Sequence, residues 1–516
     1  MWLLIIITLF KGLLWSLFIP MWHFPDEQAH FNHVAFNVER PNLINFGKGL
    51  DLNQEIAISE QLLGTYRDEQ GNNSFTYHPE YNPEYSNSQQ GTHEEQIKNL
   101  PLETRFNLVG RESAYYPETY YNLSGLIYKL FYNQDIFVRV FAIRIFWLFL
   151  LTVIVWSAYR LAWLLKSNRL FALTAATLTA FHPMLTFVSS GITSDSLFNA
   201  LYSLLILLAA NLLIKFSIWK LFFIAIITGI GVNTKPQFLA SLAISIPVIL
   251  LSLWPLRHKI KLRQTLIFSC IGLMLVYSFG GYRQVNILIK SWSAGIPIPY
   301  FSSQASVLLP NYTLLDHFIW TVKHTIREVV PWFWGVFRWL SLALSVWVNR
   351  VLNRLVLVSG LGLIIYSFKL FKQRKITREM KIFIFILYTA VIYFVTLLVW
   401  DWDFFRSHNF SFGIQGRYYF PVIVSCMILI VIGLQSISKY LNLLVSYWFI
   451  ALNWISFYIV VSSYYDTNNF KTFIIQASQY KPFFAKGWWL IVALGLYFIF
   501  SLIFSYQLFR VFRHEK

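Results

Sequence analysis

The constraint that governs this chain is the recurrence of apolar stretches long enough to cross a lipid bilayer. A helix needs about 20 residues to do so. LFALTAATLTAFHPMLTFV (170–188), QTLIFSCIGLMLVYSFGG (264–281) and GWWLIVALGLYFIFSLIFSY (487–506) are examples of a pattern that repeats along the chain. Only 13% of the residues are charged, against about 25% in soluble domains. No globular core needs so many segments of this length, so the expected class is an all-α polytopic membrane protein.

Charge sets the topology. The net charge of +18 is compatible with nucleic-acid binding only if the basic residues form a patch, and they do not. They gather in RHKIKLR (257–263), KLFKQRKITREMK (369–381) and the tail RVFRHEK (510–516), short clusters of the kind retained on the cytoplasmic side of a membrane. Anionic lipid headgroups are their expected partners, and nucleic acid is not. Spans are expected at 2–20, 136–162, 170–188, 196–214, 217–233, 238–254, 264–282, 350–368, 382–400, 418–436, 441–462 and 487–508. Twelve spans put both ends inside and all three clusters with them. The first is read as a retained helix, since no A-x-A-type cleavage site follows it. Cys270 and Cys426 both fall in apolar runs, which leaves no disulfide framework.

Residues 1–516 therefore read as one transmembrane domain with two large outer loops, 21–135 and 283–349. The first loop holds sixteen of the twenty-four acidic residues but only seven Lys or Arg, and its length suggests a small folded subdomain. In the second, VVPWFWGVFRWLSLALSVWV (329–348) is apolar enough to span. Counting it as a span would place 369–381 outside, so it is expected to be an interfacial or re-entrant helix.

The polar candidates fall on the outer side of this topology. FPDEQAHF (24–31) follows the first apolar run, and paired carboxylates at the rim of a bundle are costly to desolvate. Asp26 and His30, four residues apart, share a face if the exit is helical. That pairing suits a general base, with Glu27 as a second claimant. The alternative is that PDE caps a helix, its carboxylates facing the positive end. The string superficially resembles the zinc motif HExxH but lacks its first histidine, and no metal is expected. Asp195, in the turn between the third and fourth spans, faces the same side, either as a site residue or simply solvated. Lys235 in GVNTKPQFLA (231–240) and Arg417 in SFGIQGRYYFP (411–421) look like anion receptors, with Arg406 and Tyr418 nearby. A guanidinium grips phosphate bidentately and a lysine binds it as a point charge. Gly413 and Gly416 would let the backbone approach a ligand, while the alternative for Arg417 is snorkelling to headgroups. Arg139 and Arg144 are read as structural partners of acidic loop residues.

Carboxylates and cations on one outer face can activate an acceptor hydroxyl and stabilise a departing phosphate. Chemistry outside the cell has no nucleotide-sugar supply, which favours a lipid-linked donor. No P-loop or dinucleotide fingerprint is present, and no cofactor is expected.

Taken together, PDEQAHF (25–31), HP (182–183) with SDSLFNAL (194–201), TKPQ (234–237) and QGRYYFP (415–421) carry a resemblance. In their order and spacing the chain resembles the glycosyltransferases of the GT-C superfamily, and most of all the bacterial membrane family DUF2142. The resemblance implies a GT-C-like bundle in the cytoplasmic (inner) membrane with its site facing outside. It implies Asp26 as the catalytic acid residue of the first loop, with Glu27 beside it, and Asp195 as a second acidic motif. Lys235 and Arg417 would contact the carrier phosphate. The implied partners are a polyprenyl-phosphate-linked sugar donor and an envelope glycan or lipid acceptor. A polymerase or ligase of lipid-linked glycans shares the carrier and stays open. So does a transporter or flippase of lipid-linked sugars, although that would favour polar residues at mid-membrane depth.

Overall fold

The computed structural model describes residues 1–515 except 41–49, 69–70, 82–88, 113–116, 257–269, 283–284, 287–288, 290–311, 409 and 466. The basic connection 257–263 and the early part of the second outer loop lie outside the described residues.

Among the described residues, eight helices are long and apolar enough to cross a membrane: Ile136–Leu165, Ser194–Ile214, Pro236–Leu253, Val346–Lys372, Arg378–Arg406, Gly416–Ile437, Tyr440–Tyr464 and Trp488–His514. A ninth is the pair Arg169–Ala180 and Pro183–Ser189, bent by 58°. The bend has a local cause. Pro183 cannot continue a helix from the preceding turn, and His182 restarts it by accepting the Leu185 N–H on Nδ1 at 3.2 Å. Trp2–Phe18, Ile218–Val232 and Cys270–Gly281 fall where three more spans were expected, but they are shorter apolar helices. The protein is an all-α polytopic membrane protein with eight or nine candidate spans among the described residues.

Residues 329–348 take a different course from a continuous helix. A short helix, Val330–Trp334, leads into the strands Val336–Phe337 and Leu342–Ala343, which pair antiparallel. The turn between them holds Arg338, Trp339 and Leu340 at positive φ, a conformation that costs L-residues energy unless the surroundings hold it. Here they do. Arg338 donates to Ser463 O at 3.0 Å, Trp339 Nε1 donates to Trp22 O at 3.1 Å, and Trp339 O accepts from Tyr77 N at 3.1 Å.

The long first loop is fastened to the bundle. Leu52–Asn53 pairs with Leu108–Gly110, and helix Glu27–Glu39 packs on Thr119–Leu130. Buried Arg139 pairs with Glu55 and donates to Tyr128 Oη at 2.6 Å, while Lys486 and Lys98 both reach Glu94.

The most heavily secured point is the end of the first helix. Ile19 leaves the helical region because Pro20 follows it. The exposed carbonyls are met by buried cations, as the negative end of a helix favours. Arg144 donates to Ser16 O, Ile19 O and Pro20 O at 3.1, 2.9 and 2.9 Å. Lys481 donates to Leu17 O, and Tyr465 Oη donates to Phe18 O at 2.7 Å. The chain leaving this knot carries residues 24–31.

Candidate functional site

Four helix ends meet where the first helix exits. Asp26 precedes helix Glu27–Glu39 in a left-handed conformation (φ 54°). Asp195 lies in the first turn of Ser194–Ile214, whose cap Thr193 accepts the Asp195 N–H at 3.2 Å. Lys235 is extended (φ −148°), as the following Pro236 requires, and so it stands at the entry of Pro236–Leu253. Arg417 opens Gly416–Ile437.

These residues line one cavity of about 390 Å³, together with His30 and Tyr418. Its apolar wall includes Phe198, Tyr393, Trp400 and Phe412. Lys235 pairs with Asp195. Arg417 Nη2 reaches Asp26 at 3.4 Å, and its buried Nε has no hydrogen-bond partner among the described residues. Tyr418 stacks its ring near the Arg417 guanidinium, 5.6 Å from the centroid.

Arg67, in the first loop, is a site residue that the sequence did not reveal. Its Nη1 lies 3.2 Å from Asp26 Oδ1 and its Nε 2.8 Å from Glu112 Oε1. Asp26 is thus held between two guanidiniums while its side chain stays 38% exposed to the cavity. Burial opposes the Asp26 charge, but Arg417 and Arg67 outweigh it and hold the carboxyl below the usual range. His30 donates to or accepts from Tyr121 Oη through Nδ1 at 2.7 Å, with Nε2 3.4 Å from Thr193 Oγ1. Burial pushes its pKa down to about 3 against the opposing pull of Asp26, so the ring is neutral at pH 7.

Two of the candidate residues lie elsewhere. Glu27 is fully buried, with both oxygens on Arg144 at 2.7 and 2.5 Å, and it also accepts Trp22 N and Ile192 N at 3.1 and 3.2 Å. Arg406 is absent from the cavity lining and sits near Asp403. The glycines also act differently from the sequence expectation. A Cβ on Gly416 would fall 2.1 Å from Phe333 N, so its bareness serves the packing of Trp332–Phe333. Gly413, at φ +75°, allows the turn that carries Phe412 into the cavity wall. Among the described residues no group of three or more His, Cys, Asp or Glu is placed to hold a metal ion.

Bundle and site together define a polytopic membrane protein with an ion-paired cavity at one end of its helices. The chain belongs to the DUF2142 family of predicted membrane proteins, whose profile matches residues 9–426. No curated protein matches the sequence. Among solved structures it is similar to the oligosaccharyltransferase of Archaeoglobus fulgidus in the apo form, with 13% identity and a TM-score of 0.38. It is also similar to the archaeal oligosaccharyltransferase AglB of that organism in complex with an inhibitory peptide and a dolichol-phosphate, with 13% identity and a TM-score of 0.39. Each match covers 93% of this chain and 55% of the other, so the chain spans about half the length of those structures.

Proposed function

We propose that the cavity is the active site of a GT-C-type glycosyltransferase that moves a sugar from a polyprenyl-phosphate carrier to an envelope glycan or lipid acceptor. The observation that carries this reading is Arg417, which lines the cavity beside Lys235 and two carboxylates and whose buried Nε–H has no partner among the described residues. A phosphate offers a guanidinium and an ammonium the acceptor oxygens they bind most strongly.

In the reaction the acceptor hydroxyl gives its proton to the Asp26 carboxylate as its oxygen bonds to the anomeric carbon. The bond from that carbon to the phosphate oxygen breaks, and its electron pair leaves on the phosphate, where Arg417 and Lys235 meet the charge. Arg67 and Arg417 keep Asp26 ionised and ready to accept a proton, at some cost in basicity.

The site faces the extracytoplasmic side in this reading. Arg378 and Lys381 lie at the opposite end of Arg378–Arg406, the helix whose Tyr393 and Trp400 wall the cavity, and positive charge is retained inside.

The test incubates purified protein with a panel of polyprenyl-phosphate sugars and candidate acceptors, following carrier phosphate by mass spectrometry. Wild type should release it and a folded Asp26→Asn variant should be slowed by about 10²–10⁴-fold. Equal turnover in the variant removes Asp26 from the chemistry. No release with any donor, alongside transbilayer movement of the carrier in vesicles, would replace transfer by transport.

A further inference from the structure

The cavity's charges already balance without a ligand. Two carboxylates, Asp26 and Asp195, face two cations, Arg417 and Lys235. The two pairs differ in kind. Arg417 keeps a spare donor, whereas the Lys235 ammonium has Asp195 as its one partner among the described residues.

Asp195 also occupies a place that attracts anions. It lies in the first turn of Ser194–Ile214, where the helix dipole favours negative charge. Lys235 stands at the start of a second helix, Pro236–Leu253, and the field of Arg417 reaches Asp195 as well as Asp26. The negative charge at this focus is the protein's own. A lone ammonium in a partly buried cavity would be penalised without it.

We propose that Asp195 is a stand-in for the donor's phosphate, an inference that rests on the transferase reading above. On loading, phosphate oxygens take Lys235 from Asp195 and accept the free Nε–H of Arg417. The exchange keeps the Lys235 ammonium paired throughout, and the carboxylate it releases stays in the field of Arg417. The released Asp195 carboxylate then accepts a hydrogen bond from a second hydroxyl of the acceptor, beside the one that gives its proton to Asp26. Acceptor binding is thereby coupled to donor loading, because the same carboxylate serves each in turn.

The exchange is tested by binding of a polyprenyl monophosphate, without sugar, to the purified full-length protein. Wild type, Asp195→Asn, Lys235→Gln and the double variant are compared by microscale thermophoresis. Lys235→Gln should bind about ten-fold more weakly and Asp195→Asn about ten-fold more tightly. The gain from Asp195→Asn should vanish in the Lys235→Gln background. Weaker or equal binding by Asp195→Asn overturns the proposal. A gain that persists without Lys235 also overturns it, since simple repulsion by Asp195 would then suffice.

Should Asp195→Asn fail to fold, the wild type decides alone. The polyprenyl monophosphate should raise labelling of Asp195 by a hydrophobic carbodiimide, read by peptide mass spectrometry. Unchanged or reduced labelling defeats the exchange. If wild type binds no polyprenyl phosphate, the transferase reading itself fails; binding without the exchange signature defeats this inference only.

Discussion

Glu27 and Asp26 are adjacent in sequence, and each faces an arginine, but their surroundings are opposites. Every donor of Arg144 is spent on Glu27 or on the carbonyls of residues 16–20, with the rings of Phe24 and Phe141 each 4.6 Å from the guanidinium. The Asp26–Arg417 contact is long, at 3.4 Å, its carboxylate is 38% exposed, and a guanidinium N–H is left over. A saturated ion pair builds structure, whereas one with spare valence beside a cavity is positioned to meet a substrate. Two carboxylate–arginine contacts therefore do different work, and the hydrogen-bond balance tells them apart.

The contrast can be broken most severely at the saturated pair. Glu27→Gln or Arg144→Met leaves one buried charge unpartnered and should cost about 3–5 kcal/mol. Melting temperature in detergent and the yield of monodisperse protein should both fall. Near-normal stability would show that the knot at the first helix is not what holds residues 24–31.

Changes at the open pair should act on turnover and spare stability. Arg417→Lys keeps the charge but loses the planar fork, so the donor KM should rise about ten-fold while the melting temperature holds. An unchanged KM would place the phosphate elsewhere.

Arg67→Gln probes the same carboxylate more gently. The proton acceptor must be ionised, and Arg67 helps to hold the Asp26 pKa down. Its removal should raise that pKa and move the acidic limb of kcat/KM to higher pH. A limb that stays in place would mean that Asp26 does not set it. Smallest of all is Arg406→Gln, where turnover within about two-fold of wild type is expected because the residue does not line the cavity. A larger loss would extend the site beyond the cavity.

Much of this was legible in the sequence. Apolar runs of bilayer length mark the membrane class whatever their packing, and Asp26, Asp195, Lys235 and Arg417 stand out because charge at the edge of such a run is expensive. Arg67 carried no such signal: it lies among polar loop residues, and only the folded first loop brings it to Asp26. Glu27 was misleading for the opposite reason. Its position beside Asp26 suggested a shared role, but Asp26 stands before the helix in a left-handed conformation while Glu27 is the first helical residue and points into the bundle. The hairpin at 336–343 was equally hidden, because aromatic apolar residues suit a helix and a buried turn alike.

The fastening of the first helix has a consequence for how the protein is made. Its terminal carbonyls at Leu17 and Phe18 are met by the ammonium of Lys481, which lies 464 residues beyond Leu17. The opening helix also packs along Trp488–His514, the last one in the described chain. A nascent chain emerging from the ribosome in order therefore carries an unfinished seam until residue 481 has been made. The helix Trp2–Phe18 is locked only once Lys481 follows it, and the acidic residues it presents come to their final positions no earlier.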